Sequence, residues 1–177
     1  IWTVLGEFPD LLHNTMPEPD RAYDNTTIWE EDFSRDYFID LLFNDAPGAN
    51  SMRNFYIEQS SNRYTVYGDV TDWVMVSGPA ATYDDDFNSP LGGNQVWYFL
   101  KETINNWYAG QIAAGKTPAE INTYLSQFDV WDRYDYNGNG NVDEPDGYID
   151  TFQSVHAGIG NESCSPECDN WAIWSHS

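Results

Sequence analysis

Oxygen-bearing side chains recur at regular spacing in one stretch of the chain, the loop from Asp135 to Asp146. They fall at loop positions 1, 3, 5, 9 and 12, and position 6 is Gly140, which allows the sharp turn that such a loop needs. This is the spacing of a calcium-binding loop, and Ca²⁺ takes about 6–8 oxygen ligands. Asn141 at position 7 would contribute its backbone carbonyl. The sequence predicts a calcium site with the ligands Asp135, Asn137, Asn139, Asn141, Asp143 and Asp146.

Two further positions of the loop and a second acidic run also bear on calcium binding. Asp146 stands where an EF-hand has Glu, which favours a dockerin-like or other non-EF loop. Val142 is expected to point into the core and to anchor the loop. The alternative interpretation is an Asn- and Gly-rich turn that binds no ion. The run Asp84–Asp86 could serve a second calcium ion or form a solvated surface.

Composition bounds the classes of protein to which the chain can belong. Its 177 residues carry a net charge of −22, and 16% of them are aromatic. The length supports one domain with a sizeable core, and the aromatic content excludes a disordered chain. The acidic field repels nucleic acid and anionic membranes and favours bound divalent cations. No apolar run reaches the roughly 20 residues that a membrane span requires.

The only two cysteines, Cys164 and Cys168, lie close together in the sequence Cys-Ser-Pro-Glu-Cys. This is neither a Cys-x-x-Cys redox pair nor a set that could hold a structural zinc ion alone. A local disulfide is the prediction, with two free thiols as the alternative. A disulfide implies an oxidising, extracellular location.

The elements that must position the loop are predicted from helix caps, periodicity and β-branched runs. Strands are predicted at 1–8, twice within 63–76, at 148–155 and at 171–174. Helices are predicted after Ser34, after Ser51, over 94–114 and over 117–128. The pattern indicates an α+β fold in one domain covering residues 1–177.

Catalytic motifs of the common kinds are missing from the 177 residues. There is no His-Glu-x-x-His, no Gly-x-Ser-x-Gly and no phosphate-binding loop. We interpret His13 as solvated, His156 as a core histidine rather than a zinc ligand, and His176 as a surface residue, with a place near a cleft as its alternative. Spacing alone therefore predicts a secreted, calcium-stabilised domain and no particular reaction.

Several blocks, in order along the chain, resemble the immune inhibitor A family of secreted zinc metallopeptidases. They are Phe-Pro-Asp at 8–10, the stretches 51–60 and 63–73, Phe-Asp-Val-Trp-Asp-Arg-Tyr-Asp at 128–135, the loop through Glu-Pro-Asp-Gly-Tyr-Ile-Asp at 144–150, Val-His-Ala-Gly at 155–158 and Ala-Ile-Trp-Ser-His at 172–176. The blocks span essentially the whole chain. The resemblance implies the N-terminal part of a zincin-like metalloprotease catalytic domain, with a mixed sheet, helices and the calcium loop.

In that family the helix carrying His-Glu-x-x-His follows the Ile-Trp-Ser-His block, whereas this sequence ends at Ser177. The resemblance therefore implies that zinc is held by a C-terminal part of the same precursor, expected as a separate chain. This chain would supply the sheet, a cleft wall and the calcium site. Its substrates would be proteins or peptides. The segment 171–174 would be a strand at the cleft edge or an ordinary buried strand.

Two other functions stay open at this point. One is a calcium-dependent binding or structural module of an extracellular protein, without catalysis. The other is a secreted glycosidase that uses two carboxylates as acid and base. The 29 acidic residues offer many such pairs, so a carboxylate pair by itself carries no information.

Overall fold

Strand β1, Trp2–Glu7, lies in the middle of a three-stranded sheet. The computed structural model describes residues 1–83, 96–164 and 172–173. Strand β2, Asp69–Met75, pairs with one edge of β1, and strand β3, Phe152–His156, pairs with the other. A central strand has neighbours on both sides, so its backbone N–H and C=O groups can all be paired without water.

Hydrogen bonds at the two ends of each pairing show that the three strands run in the same direction. The Asp69 N–H donates to Ile1 O, and the Val76 N–H donates to Glu7 O. From Asp69 to Val76 the chain advances seven residues, whereas the paired segment from Ile1 to Glu7 advances six. The β2 side therefore has one extra residue, as in a β-bulge. The buried Leu5 N–H donates to Thr71 Oγ1 at 3.1 Å instead of to a backbone carbonyl. The threonine hydroxyl thus accepts from a backbone N–H that has no carbonyl partner in the irregular pairing.

Five helices are present in the described part of the chain. They are α1 Arg35–Phe43, α2 Met52–Gln59, α3 Val96–Ala113, α4 Pro118–Leu125 and the short α5 Asn161–Cys164. Within the described ranges, no helix combines the length and hydrophobicity needed to cross a membrane. The mixture of helices and strands confirms the α+β class.

Side-chain caps begin three of these helices at the residues that the sequence indicated. The hydroxyls of Ser34 and Ser51 each accept the backbone N–H three residues further on, at 3.3 and 3.1 Å. Thr117 and Glu120 form a complete capping box, in which each side chain accepts the other residue's backbone N–H. These bonds satisfy donors that the first helical turn leaves without a partner.

The prediction of two strands within 63–76 is wrong, because only the second half forms one. Ser60 Oγ accepts the Tyr64 N–H at 2.8 Å and donates to Tyr64 O at 3.1 Å. The preceding residues Ser61 and Asn62 have φ angles of 55° and 62°. These local bonds and left-handed residues turn the backbone here and compete with extended pairing.

The predicted strand over 171–174 is also not seen where the structure describes it. Ala172 and Ile173 are buried but have no regular secondary structure. The Ile173 carbonyl accepts the Asn161 N–H at 3.1 Å, at the start of α5. Trp171 and Trp174 lie outside the described residues.

The chain forms two compact units, so the expectation of one domain over 1–177 stays a prediction. The first consists of Ile1–Thr3, Ile39–Val70 and Trp107–Gln153, and the second of Val4–Phe38, Thr71–Asn106 and Ser154–Ser177. In the first unit Trp2 packs edge-on against Trp107, with ring centroids 4.9 Å apart. Tyr124 contacts Trp107 and Phe128, and its hydroxyl donates to the Asp69 carboxylate at 2.9 Å.

The core of the second unit consists of aromatic and small apolar side chains. Its buried members are Phe8, Val76, Ala80, Tyr83, Phe99 and Ile173. The rings of Phe8 and Phe99 are 5.2 Å apart. Gly6 leaves room for this packing, because a Cβ atom there would lie 2.4 Å from Phe99 Cζ.

His156, at the end of β3, lies against this aromatic core as the sequence predicted for a core histidine. Its ring centroid is 6.5 Å from that of Phe8 and 6.4 Å from that of Phe99. Its Nδ1 lies 3.0 Å from Ala157 O, so Nδ1 carries the proton that donates to this carbonyl. Burial lowers the pKa of His156 because the charged form loses its hydration.

Substituting Gly6 by Ala is expected to destabilise the protein by about 1–3 kcal/mol, because the new methyl group overlaps Phe99. Gly110→Ala is the matched control. Gly110 lies in α3 with nothing within 4 Å of its Cβ position, so Ala should stabilise the helix by up to about 1 kcal/mol. Urea unfolding measures both changes. Equal effects of the two substitutions would contradict the packing assigned to Gly6.

The lowered pKa of His156 predicts a pH-dependent loss of stability below the ordinary histidine value of about 6.5. Between the two pKa values the unfolded state binds the proton and the folded state does not. The free energy of unfolding therefore decreases as the pH is lowered. His156→Asn keeps an N–H for Ala157 O and cannot be protonated. Its stability should therefore fall less between pH 7 and pH 5 in urea titrations. Parallel pH curves for wild type and variant would show that His156 does not titrate abnormally.

Candidate metal site

The loop predicted to bind calcium is attached at both ends by aspartates that precede it. Asp129 accepts the N–H groups of Asp146 and Gly147, each at 2.9 Å. Asp132 is buried and accepts the Tyr136 N–H through both carboxylate oxygens, at 3.0 and 2.9 Å. These carboxylates fix where the loop begins and ends. They were absent from the predicted set because their partners are backbone groups, which a spacing argument does not show.

The first half of the loop has the tight curl that the position of Gly140 predicted. Asp135 has a φ of 50°, and Gly138 and Gly140 have φ angles of 71° and 80°. The Asp135 carboxylate accepts the Gly140 N–H at 3.1 and 3.2 Å. The first acidic side chain and the sixth residue of the loop are therefore already joined.

Three asparagines of the predicted site converge on one carboxylate that the prediction omitted. The Nδ2 atoms of Asn137 and Asn139 lie 2.7 Å from Glu144 Oε1, and the Nδ2 of Asn141 lies 3.0 Å from Glu144 Oε2. Hydrogen bonds from Asn137 and then Asn139 lower the pKa of Glu144. A residue at position 10 falls outside the ligand spacing of an EF-hand, so that pattern could not find it. The signal was three amides that all required an acceptor.

The amide oxygens of the same asparagines are held by backbone groups two residues further along. Asn137 Oδ1 accepts the Asn139 N–H at 3.0 Å, and Asn139 Oδ1 accepts the Asn141 N–H at 2.6 Å. Asn141 Oδ1 in turn accepts the Asp143 N–H at 3.2 Å. Each oxygen has a second lone pair for an additional partner. The loop is thus held by successive side-chain-to-backbone hydrogen bonds, each spanning two residues.

The acidic members of the predicted site are not all brought together. Asp146 Oδ1 accepts the Tyr148 N–H at 2.9 Å, which turns it toward the start of the next segment. Within the described residues, no three His, Cys, Asp or Glu side chains form a ready metal cluster. Val142 is 48% exposed, so the prediction that it anchors the loop in the core is wrong. The residue that ties this part of the loop down is Asp132, whose N–H donates to Val142 O at 3.0 Å.

The donor chemistry of the loop nevertheless suits a hard divalent cation. Carboxylates and amide carbonyls are the oxygen ligands that Ca²⁺ prefers, and the loop contains no soft sulfur or imidazole ligand. The Asp135 and Glu144 carboxylates are held by N–H groups that orient them. A cation among these oxygens would need the asparagine amides to exchange their bonds to Glu144 for metal ligation.

His13 lies in a charged and aromatic environment, so the prediction that it is merely solvated is wrong. Its Nδ1 is 2.6 Å from Glu7 Oε2, and its Nε2 is 3.4 Å from Asp32 Oδ1. Its ring stacks on Trp73 with centroids 4.8 Å apart and planes 8° from parallel. A carboxylate oxygen therefore lies near each ring nitrogen of His13.

A cavity of about 880 Å³ lies beside this histidine in the second unit. The residues that give it its character are aromatic or titratable: His13, Trp29, Phe33, Phe38, Trp73 and His156. Trp73 Nε1 donates to Phe33 O at 2.7 Å, and Trp29 Nε1 donates to Met16 O at 2.9 Å. These bonds attach the irregular segment before α1 to the cavity wall. The sequence showed no sign of this cavity, because its lining comes from distant segments.

Several predicted features lie outside the described residues. They are the acidic run Asp84–Asp86, the partner cysteine Cys168 with the side chain of Cys164, and His176.

Comparisons with known proteins identify the family of the chain. A family model described as "Immune inhibitor A peptidase M6, catalytic domain" matches residues 1–177. Immune inhibitor A from Bacillus thuringiensis subsp. alesti is 33% identical over 190 residues, which cover 99% of this chain and 25% of that protein. Pre-pro-metalloprotease PrtV from Vibrio cholerae serotype O1 (strain M66-2) is 34% identical over 185 residues, which cover 99% of this chain and 18% of PrtV. The chain thus spans a quarter or less of these relatives and belongs to the immune inhibitor A peptidase M6 family.

Proposed function

We propose that this chain is the N-terminal portion of the catalytic domain of a secreted zinc metalloendopeptidase, which hydrolyses peptide bonds in proteins. The observation that carries the proposal is the match of the catalytic-domain family model to residues 1–177. A relative named a metalloprotease, with one third of its aligned residues identical, supports the same chemistry. The name pre-pro-metalloprotease also agrees with export of a precursor.

The zinc site belongs, in this proposal, to sequence C-terminal to Ser177 in the same precursor. The 177 residues contain no His-Glu-x-x-His motif. His156 does not replace it, because its Nδ1 donates to Ala157 O and its ring packs on Phe8 and Phe99. The chemistry expected of zinc in such an enzyme is activation of water for attack on a peptide carbonyl. That the zinc helix lies on a separate chain stays a prediction.

The contribution of this chain is a rigid support and one wall of the cleft. Parallel strands with β1 buried between its neighbours resist distortion when a substrate binds. The buried Ala172 and Ile173 belong to the block that, in the family, leads into the zinc helix. Their packing would set the starting position of that helix relative to the rest of the fold.

Calcium in the loop from Asp135 to Asp146 is the second part of the proposal. The predicted ligands are Asp135, Asn137, Asn139, Asn141, Asp143 and Asp146, and we add Glu144. The curl of the loop and its oxygen-bearing side chains support a cation there, which would replace the bonds of three asparagine amides to Glu144. The net charge of −22 strengthens the attraction for any divalent ion. A disulfide between Cys164 and Cys168 would accompany this extracellular, calcium-stabilised state.

Zinc-dependent proteolysis is the direct test of the proposed activity. The intact protein should cleave a labelled casein, and 1,10-phenanthroline should abolish this activity because it removes zinc. Added Zn²⁺ should restore it. The isomer 1,7-phenanthroline, which cannot chelate, is the matched control. Proteolysis that survives 1,10-phenanthroline, or binding of proteins without any cleavage, would contradict the proposal, and the second result would favour a non-catalytic module.

Calcium binding by the loop is tested by Asp135→Asn, which keeps an acceptor for the Gly140 N–H and tolerates positive φ. Calcium at about 100 times its dissociation constant should stabilise wild type by about 2.7 kcal/mol, and this variant should lose most of that gain. Thermal unfolding with calcium and with EGTA measures it. Glu144→Gln should lose the gain as well.

The matched control for the loop variants is Glu58→Gln, which removes the same charge at an exposed position of α2. It should keep the full calcium-dependent gain. An equal gain in Asp135→Asn and wild type would show that calcium binds elsewhere or not at all.

A further inference from the structure

Positive charge is scarce in this chain, and part of it is concentrated in one pocket. The sequence has seven Lys and Arg residues against 29 Asp and Glu. Arg53 and Arg63, two of the seven, line the same pocket of about 250 Å³ in the first unit. The other lining residues are Ile57, Asn62, Tyr64, Thr65 and Tyr67. None of these residues belongs to the loop or the cavity described above.

Two contacts hold the Arg53 side chain at this pocket, but one of its hydrogen-bond donors has no partner among the described residues. Its guanidinium lies 4.4 Å from the centroid of the Tyr67 ring, and its Nη2 lies 3.2 Å from Asp45 Oδ2. Its Nε is buried and has no hydrogen-bond partner among the described residues, and the same holds for Thr65 Oγ1. Buried polar atoms without partners are rare, and these two belong to residues that line the pocket.

Arg63 leaves the end of its guanidinium open on the same pocket. Its Nε donates to Ser60 O at 2.9 Å, which fixes the side chain. Within the described part of the chain, the structure gives it no carboxylate partner. The preceding residues Ser61 and Asn62 have φ angles of 55° and 62°, and backbone of this kind is costly for non-glycine residues.

Aromatic rings surround the two arginines at the surface. Tyr64 is 49% exposed and Tyr67 is 63% exposed, and both line the pocket. Exposed Tyr and Arg side chains grouped around a pocket are the composition of binding hot spots, where the aromatic faces contact a partner and the arginines bind its charge. The surface therefore has apolar flanks around a positively charged centre.

We propose that this pocket binds the carboxylate of a single acidic side chain on a peptide segment of another protein. The open fork of Arg63 suits bidentate contact with a carboxylate. The volume of about 250 Å³ accommodates one such side chain, while the exposed rings contact its neighbours. The net charge of −22 repels highly charged ligands, so one carboxylate is favoured over a phosphate group, which carries about −1.5 to −2. The proposal does not depend on peptidase activity.

Peptide binding to the intact protein tests this site. The probe is a short Gly-, Ser- and Leu-containing peptide with one central Glu and a neutral fluorophore, and its partner has Gln instead. Fluorescence anisotropy should show at least about tenfold tighter binding of the Glu peptide. Arg63→Gln should remove this preference, and Arg63→Lys should keep part of it, because Lys retains the charge without the planar fork.

Lys116→Gln is the matched control, because it removes one positive charge at an exposed position outside the pocket. It should leave the preference for Glu unchanged, and circular dichroism should show that all variants are folded. Equal binding of the Glu and Gln peptides, no binding of either, or an unchanged preference in Arg63→Gln would overturn the proposal. Inorganic phosphate that displaces the Glu peptide at a lower concentration than acetate would also overturn it, in favour of a phosphate site.

Discussion

The structure depends on burying strand β1 between two parallel partners. From Trp2 to Leu5 its side chains are at most 2% exposed, so no backbone group there can turn to water. Its N–H and C=O groups must all be paired by β2, β3 or a side chain. Thr71 supplies a side-chain acceptor for the Leu5 N–H. Because β1 is buried on both faces and both edges, the elements that follow β2 and β3 begin from fixed positions.

Charge is the second constraint. With 29 acids and seven Lys or Arg residues, most carboxylates cannot find an internal cation, and the structure satisfies many of them with N–H groups. Asp129, Asp132 and Asp135 each accept backbone N–H groups around the candidate metal loop. A divalent cation would add the charge compensation that such bonds lack. The chain thus combines an uncharged buried segment, Trp2 to Leu5, with a surface suited to cations.

The basic side chains have surroundings that contrast with one another. His13 lies between Glu7 and Asp32 and stacks on Trp73, so its contacts are internal and attach an irregular segment. Arg63 has a different environment, because it lines a small pocket and has no carboxylate partner among the residues that the structure describes. Basic side chains therefore serve internal attachment in one place and, as proposed, external recognition in another. The difference lies in which segments surround each group.

The sequence by itself determined those features whose causes lie within a few residues. Ser34, Ser51 and Thr117 begin helices because each hydroxyl reaches an N–H three residues away, and Gly140 turns the loop because it tolerates positive φ. Tertiary structure alone decided the central place of β1, the partners of His13 and the aromatic cavity. Val142 was predicted wrongly for the same reason, because contacts between distant segments decide burial and no spacing along the chain encodes those contacts. The segment before β2 was predicted wrongly for a local reason, since the bonds between Ser60 and Tyr64 turn the backbone there.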